Sequence, residues 1–349
     1  MSALTAVWAG SAQLGAYWVN QLGGTLLSPG STLSIVGLLF TLVFAAFLAI
    51  PRGRRRPVRI AVLRRALFPR RLTRSASGRA DIAYCLFSLL FFGLAFGWAF
   101  LSATRIAGAL DHGLAASFGA RAVSDWPAIV QAVISTVMLF LAYEFAYWLD
   151  HYLSHKLPIL WQFHRVHHGA ESLSLLTNFR VHPVDTIVFA NLVALITGAM
   201  SALLAFLFGH DPTPFGIGGT NVLIFVGAIC LAHLQHSHLK LRFGPRGDRL
   251  LLSPMHHQCH HSLDPRHFDR NFGNTLALWD RLFGTLYVPD PTDGPMRFGL
   301  GAGETTPHGL KAALVTPLLG AALCLRALLT RARHERDEHE AGAPNMRGS

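Results

Sequence analysis

Charge is scarce in this chain of 349 residues: 14% are Asp, Glu, Lys or Arg, whereas 51% are hydrophobic. Soluble domains carry nearer a quarter of their residues as charges, so a water-surrounded globule is excluded. Cysteine is scarce too. Cys85, Cys230 and Cys324 lie in apolar runs and Cys259 in a histidine-rich stretch, with no C-x-x-C pair and no disulfide framework. There is no H-E-x-x-H, no glycine-rich dinucleotide fingerprint and no C-x-x-C-H. These absences exclude a zincin-type protease, a self-contained flavin or nicotinamide reductase and a c-type haem protein. Residues 1–32 hold neither Lys nor Arg, so the basic start of a signal peptide is missing.

The net charge of +11 is not spread out; eleven arginines fall within residues 51–80, beside an apolar run. That placement argues for a membrane-flanking loop and against a nucleic-acid partner. Apolar runs predict spans at about 33–50, 82–104, 127–149, 184–208 and 215–234. The expected fold is an all-α integral membrane protein of four to five transmembrane helices under a cytoplasmic, histidine-rich helical cap. Residues 1–32 are expected as an extracytoplasmic lead, held at the interface by Trp8, Tyr17 and Trp18. Residues 33–80 are the first span and the Arg-rich loop, and 81–290 the core. In the loop, Arg64, Arg65, Arg70 and Arg71 interleave with Leu63, Leu67, Phe68 and Leu72, which suits an interfacial helix. Residues 105–126 are an outer connection. Residues 291–330 hold an interfacial or re-entrant helix, because Lys311, Pro317 and Arg326 interrupt the apolar run at 309–329. Residues 331–349 are expected as a disordered charged tail.

Histidine, by contrast, is abundant. Fifteen of the nineteen lie between residues 151 and 267. The first stretch reads His151-x-x-x-His155, His164-x-x-His167-His168 and Arg180-x-His182-Pro183. The second reads His233-x-x-His236-x-His238 and Ser253-Pro-Met-His256-His257-x-x-His260-His261. On a helix, residues three and four apart share a face, about 6 Å apart along the axis. His151/His155, His164/His167/His168 and His257/His260/His261 are then three groups of facing imidazoles, eight in all. Neutral imidazole is the commonest protein ligand for Fe, Zn, Cu and Ni. Eight is too many for one ion that keeps an open position and suits two ions sharing a pocket. If the arginines hold their loop in the cytoplasm, the third span ends inside, and the hairpin at 184–234 returns the second stretch to the same side. Glu144 and Asp150, at the inner end of the third span, are placed either to snorkel or to hydrogen-bond a ligand.

The boxes and the residues just beyond them resemble the fatty acid hydroxylase/sterol desaturase superfamily from about Arg79 to Pro289. The resemblance rests on His151-x-x-x-His155, His164-x-x-His167-His168 and Ser253-Pro-x-x-His257-x-x-His260-His261-Ser262. Asn271-Phe-Gly and Trp279-Asp280-Arg-Leu-Phe-Gly-Thr285 come after these. Gln235-His236-Ser-His238 with Phe243-Gly-Pro245, and Ala66-Leu-Phe-Pro-Arg70, are also similar to the family's pattern. The resemblance implies a non-haem di-iron centre that uses O2 to attack a C–H bond of a lipid. It implies His151, His155, His164, His167, His168, His236, His257, His260 and His261 as ligands to two Fe. His182 and His238 are secondary ligand candidates, and Asp280 is a carboxylate that orients a ligand's distal N–H. No catalytic side chain beyond the metal centre is expected.

The expected function is therefore O2-dependent hydroxylation of a membrane lipid (sterol, fatty acyl, sphingolipid or ether lipid). Desaturation at the same site is the alternative. Electrons must come from a separate donor, a ferredoxin or cytochrome b5-like protein with its reductase, because the chain carries no flavin or dinucleotide motif. The expected location is a bacterial inner membrane with the boxes facing the cytoplasm. A zinc or iron transporter is the rival from another class; transporters place ligands mid-membrane in broken helices, whereas these histidines cluster at span ends. A b-type haem protein needs only two axial histidines.

Overall fold

The computed structural model describes residues 3–28, 31, 33–49, 69–119, 124–237, 239–290, 294, 296–301, 304 and 308–342. Most of the Arg-rich loop, at 51–68, and His238 lie outside the described residues, as does the interfacial helix expected there. The protein is an integral membrane protein built of helices. Its one small sheet among the described residues is a ribbon of Gly216–Ile217 paired antiparallel with Thr220–Asn221.

Among the described residues, four stretches are long and apolar enough to cross a membrane: Ala76–Phe118, Ala128–Lys156, Pro183–Phe208 and Leu310–His334. Their apolar faces stay largely uncovered by protein; Leu195, Leu203 and Leu207, for example, are exposed. Before them come α1 (Ala3–Leu27) and α2 (Ile35–Ala49). The lead expected at the interface is thus a 25-residue helix. Trp18 of α1 donates its indole N–H to the Leu90 carbonyl at 3.0 Å, so it seals against protein.

The span expected at 82–104 is interrupted. α3 (Ala76–Phe87) runs into a π-turn at Ser88–Phe92 and a 3-10 turn at Gly97–Ala99, and α4 (Ala103–Phe118) then occupies the segment expected as a connection. Ser102 caps α4, its hydroxyl accepting from the Arg105 amide. α5 (Ala128–Lys156) is the central helix, and α6 (Pro158–His168) starts two residues later with proline in its first turn. α7 (Pro183–Phe208) begins the same way and is closed by Gly209 in the left-handed region, φ 78°. A Cβ on Gly198 of α7 would sit 2.8 Å from the Ala103 carbonyl oxygen, so α4 and α7 meet backbone to backbone.

The second half of the expected hairpin is short. α8 (Val222–Gly227) continues through a π-turn at Ala228–Ala232 into His233–Gln235. Thr41 of α2 donates its hydroxyl to the Ile229 carbonyl at 2.7 Å, satisfying a group inside that turn. α9 (Pro254–His260) and α10 (Leu278–Leu282) are short helices of the cap. α11 (Leu310–Gly342) runs straight through Pro317. The helix includes residues 331–342 of the charged tail, and 343–349 lie outside the described residues.

The histidine end of the molecule results from this order. The last turn of α5, all of α6, the first turn of α7 and the end of the α8 segment meet there. A buried ion pair ties α3 to this end: Arg180 Nη1, in the loop before α7, lies 3.2 Å from Asp81 Oδ1 of α3. The same guanidinium donates to the Val166 carbonyl of α6 and the Ser77 carbonyl of α3.

Candidate metal centre

Nine histidines converge there in two groups. His151, His155, His164, His168 and His260 form the first, and His167, His236, His257 and His261 the second. Within each group one ring nitrogen per residue lies within 4.8 Å of all the others. The two H-x-x-H-H boxes are used reciprocally. In α6 the residues four apart, His164 and His168, go to the first group and His167 to the second. In α9 and the residue after it, His257 and His261 go to the second group and His260 to the first. The rings of His168 and His261 stack with centroids 4.4 Å apart where the groups abut.

The inward atoms are Nε2. In the second group, His236 Nε2 is 3.1 Å from that of His167, 3.2 Å from His261 and 2.9 Å from His257. In the first, His168 Nε2 is 3.1 Å from those of His155 and His260. Tautomers are fixed from outside. His151 donates Nδ1–H to the Phe272 carbonyl at 2.8 Å, and His260 donates Nδ1–H to the Arg270 carbonyl at 2.8 Å. His164 donates Nδ1–H to Asp185 Oδ2 at 3.1 Å, and Asp269 lies 3.8 Å from His155 Nδ1. Carbonyls carry no proton, so the Nε2 of His151 and His260 presents a bare lone pair. Lone pairs crowded at about 3 Å repel unless a cation lies among them. Two nitrogens bound at about 2.1 Å to one ion are about 3.0 Å apart at a right angle and about 3.4 Å apart at the tetrahedral angle. The observed separations are of the size expected between ligand atoms that would share one ion. A donor set of neutral imidazoles suits iron, as it does zinc, copper and nickel.

Protons compete poorly for these sites. Burial pushes His167, His168, His257 and His261 well below the ordinary imidazole value, with neighbouring imidazoles as the next cause. Burial takes His236 and His260 down to about 3.

Other residues singled out from sequence land elsewhere. His182 is not in either group: it caps α7, its Nδ1 accepting from the Val184 amide at 3.1 Å, and its Nε2–H donates to the Leu314 carbonyl at 2.9 Å. Both ring nitrogens are thereby used. Asp280 reaches no ligand directly. Its carboxylate accepts from the Phe272 and Gly273 amides at 2.9 and 2.8 Å and from the Thr285 hydroxyl at 2.6 Å. It holds the Asn271-Phe272-Gly273 turn, in which the Phe272 carbonyl orients His151. Glycine is required there, since a Cβ on Gly273 would lie 2.7 Å from Leu252 Cδ1 and 2.9 Å from Asp280 Oδ2. Glu144 neither snorkels nor touches a ligand; it is buried and accepts from the Thr275 and Leu276 amides at 2.9 and 2.7 Å. His256 turns its Nδ1 to Ser253, and Cys259 belongs to neither group. Sequence reasoning missed Asp185, Asp269 and the Arg180–Asp81 pair. The available signal was carboxylates at the edges of apolar runs.

Two cavities open on the groups. One of about 380 Å³ lies between α5, α7 and the α8 segment, touching His151, His164, His167, His236 and His257. The other, about 370 Å³, touches His155, His168, His260 and His261 beside Trp161, and is walled by cap residues such as Phe268 and Leu300.

Known proteins bear on this arrangement. A family model described as fatty acid hydroxylase matches residues 136–285. Ornithine lipid hydroxylase OlsE of Rhizobium tropici is 29% identical over 195 residues, covering 55% of this chain and 52% of that protein. Alkylglycerol monooxygenase of Xenopus tropicalis is 29% identical over 154 residues, 44% of this chain and 30% of that one. A cholesterol 25-hydroxylase-like protein of Danio rerio is 28% identical over 168 residues, 47% and 60% of the two chains. The chain thus spans about half the length, or less, of the first of these relatives. No solved structure matches it. Residues 136–285, the stretch that the fatty acid hydroxylase model matches, contain all nine converging histidines.

Proposed function

We propose that this protein is an O2-dependent lipid hydroxylase with two irons. His151, His155, His164, His168 and His260 hold one, and His167, His236, His257 and His261 the other. The observation that carries the reading is the pair of abutting, buried imidazole groups, each open to a cavity. The relatives' names, ornithine lipid hydroxylase, alkylglycerol monooxygenase and cholesterol 25-hydroxylase-like protein, support oxygen insertion over desaturation and a lipid as substrate.

The chemistry that iron supplies when bound is activation of O2 against an unactivated C–H bond, for which side chains have no reagent. The balance is one oxygen atom into the lipid and one into water, with two electrons and two protons from outside. Everything else falls to the protein. The carbonyls of Phe272 and Arg270 and the carboxylate of Asp185 hold ligand rings in the right tautomer. The 380 Å³ cavity takes the lipid from the membrane and keeps bulk water from the reacting carbon. The opposite cavity, beside Trp161, serves a separate ferredoxin or cytochrome b5-like donor. The first relative is bacterial, and a bacterial inner membrane with the histidines toward the cytoplasm is the proposed location. A zinc or iron transporter fits less well, because the ligands close into buried groups at helix ends.

The test is metal analysis and Mössbauer spectroscopy of protein purified from iron-57-grown cells, and then lipid oxidation under 18O2 with a reductase system. Two coupled irons per chain and label in a hydroxylated lipid are expected. One tightly held zinc, with no label incorporated after iron reconstitution, would overturn the reading.

A further inference from the structure

The membrane-side cavity has a polarity gradient. Three helices wall it, and on each the residues near the histidines are polar while those deeper in the span are apolar or aromatic. On α5, Asp150 is beside His151, whereas Tyr147 and Tyr143 lie one and two turns further in. On α7, Asp185 and Thr186 come first and Phe189 a turn deeper. On the α8 segment Gln235 adjoins His236, and Ala232, Ala228 and Ile224 recede from it. Each turn is about 5.4 Å, so the apolar wall extends roughly 12 Å from the histidines.

Asp185, Gln235 and Asn274 at the histidine end are engaged with protein; besides ring nitrogens of the histidines themselves, one carboxylate oxygen is not. Asp185 accepts from His164, Gln235 donates to the Asn274 carbonyl, and Asn274 donates to Glu144. Asp150 is buried, yet its Oδ1 has no partner among the described residues, and no Lys or Arg lines the cavity. A buried carboxylate oxygen left without a donor is costly, so a head group that brings a donor into the cavity gains at this position.

We propose that the lipid binds head first. Its polar head lies at the histidines with an N–H or O–H donor, from an amine or a hydroxyl, on Asp150, and its chain runs up the apolar wall into the bilayer. The substrate class is then a lipid whose head group donates hydrogen bonds. Resting on the oxygenase reading, the oxidised carbon lies close to that head, not far along the chain. An acid or ester head would set acceptors against Asp150 and is disfavoured.

The test needs no turnover. Full-length protein in nanodiscs, loaded with redox-inert zinc, is photolysed with hexadecylamine carrying a diazirine either at the chain end or beside the nitrogen. Labelled peptides are then mapped. The chain-end probe should mark 138–147 and 189–228, and the head probe 174–186 and 232–236. Unlabelled hexadecylamine, whose ammonium makes a charge-assisted bond, should displace the probes at lower concentration than hexadecanol, and hexadecanol at about tenfold lower concentration than hexadecyl methyl ether, which has no donor. In Asp150→Asn the advantage of the amine over the alcohol should disappear with metal content unchanged. Ile224→Trp, placed far from the ligands, should abolish chain-end labelling alone. Labelling in the reverse orientation, or a competition order unchanged by Asp150→Asn, would overturn the proposal; so would labelling that no unlabelled lipid displaces. Failure of the oxygenase reading shows separately, as no label incorporated under 18O2 after iron reconstitution, and leaves the labelling pattern readable.

Discussion

His164 and His257 each open an H-x-x-H-H box, but they do not stand in equivalent surroundings. In the first group three of five ligand rings are braced through Nδ1, by Phe272, Asp185 and Arg270. In the second, Nδ1 of His236, His257 and His261 has no partner among the described residues. Bracing raises metal affinity typically 10- to 100-fold. Titration with a chelator should therefore remove the ions in two steps, the second group emptying first. His257→Ala should eliminate the early step and His151→Ala the late one, and Asp185→Asn should narrow the gap between them. Simultaneous release, read by metal analysis at each chelator concentration, would contradict this assignment. Protonation offers a further check. Burial lowers His236 and His260 to about 3, below the ordinary imidazole value of about 6.5. The unfolded chain then binds more protons than the folded one between about pH 6.5 and 3, so stability of the metal-free protein falls as pH falls through that window. Each histidine contributes up to about 1.4 kcal/mol per pH unit. Melting of chelated protein in detergent should drop steadily from pH 6.5 to 4; a flat profile would mean the rings are hydrated and the groups open.

Elements bring these residues together through one buried knot. Arg180 is 1% exposed and Asp81 fully buried, and they link α3, α6 and the loop before α7. Removing one member of such a pair strands the other and costs about 3–5 kcal/mol, whereas replacing both with apolar residues is often close to neutral. Asp81→Ala should lower the detergent melting temperature and scatter the metal groups together. Asp81→Leu with Arg180→Met should recover most of the loss, and an additive double variant would show that the two do not act as a pair. This knot was not legible in the sequence: Arg180 reads as part of an R-x-H-P motif and Asp81 as the edge of an apolar run. The spans at α5 and α7 and the helical spacing of the histidine boxes were legible, because apolar length and helical period are local signals; that each H-x-x-H-H box divides between two groups was not. His182 misled, since a cap and a ligand look alike in a motif. Asp280 acts through a turn whose shape depends on Gly273, which no spacing rule conveys. The interruptions at Ser88–Phe92 and Ala228–Ala232 escaped too, because composition reports apolarity and not whether the helix winds evenly.

For the whole molecule the open matter is how α11 sits. By length and composition Leu310–His334 is able to cross a membrane. Its contacts argue for another course. Leu310 and Ala313 pack in the cluster with Val166, the Leu314 carbonyl accepts from His182, a Cβ on Gly320 would meet Gln162, and Cys324 comes to the Pro158 carbonyl. The first four turns thus lie antiparallel along α6, the helix that carries three of the nine histidines. α6 comes after the end of α5, beyond the span, so α11 runs along the cap before it could enter the bilayer. Arg331 and Arg333 beyond it favour retention on the cytoplasmic side. The described part of the arginine run, Arg70, Arg71 and Arg74, reaches the same end of the molecule, since Arg180 and the Glu171 amide both bond Ser77 just beyond it. A topology reporter fused after Ser349 should therefore read on the same side as one placed after Arg56, and a reporter at Asp211, in the loop after α7, on the opposite side. A carboxyl-terminal reporter siding with Asp211 would make α11 a true span. It would also force α6 and its histidines into the bilayer beside it, and the membrane-side and cap-side cavities would exchange roles.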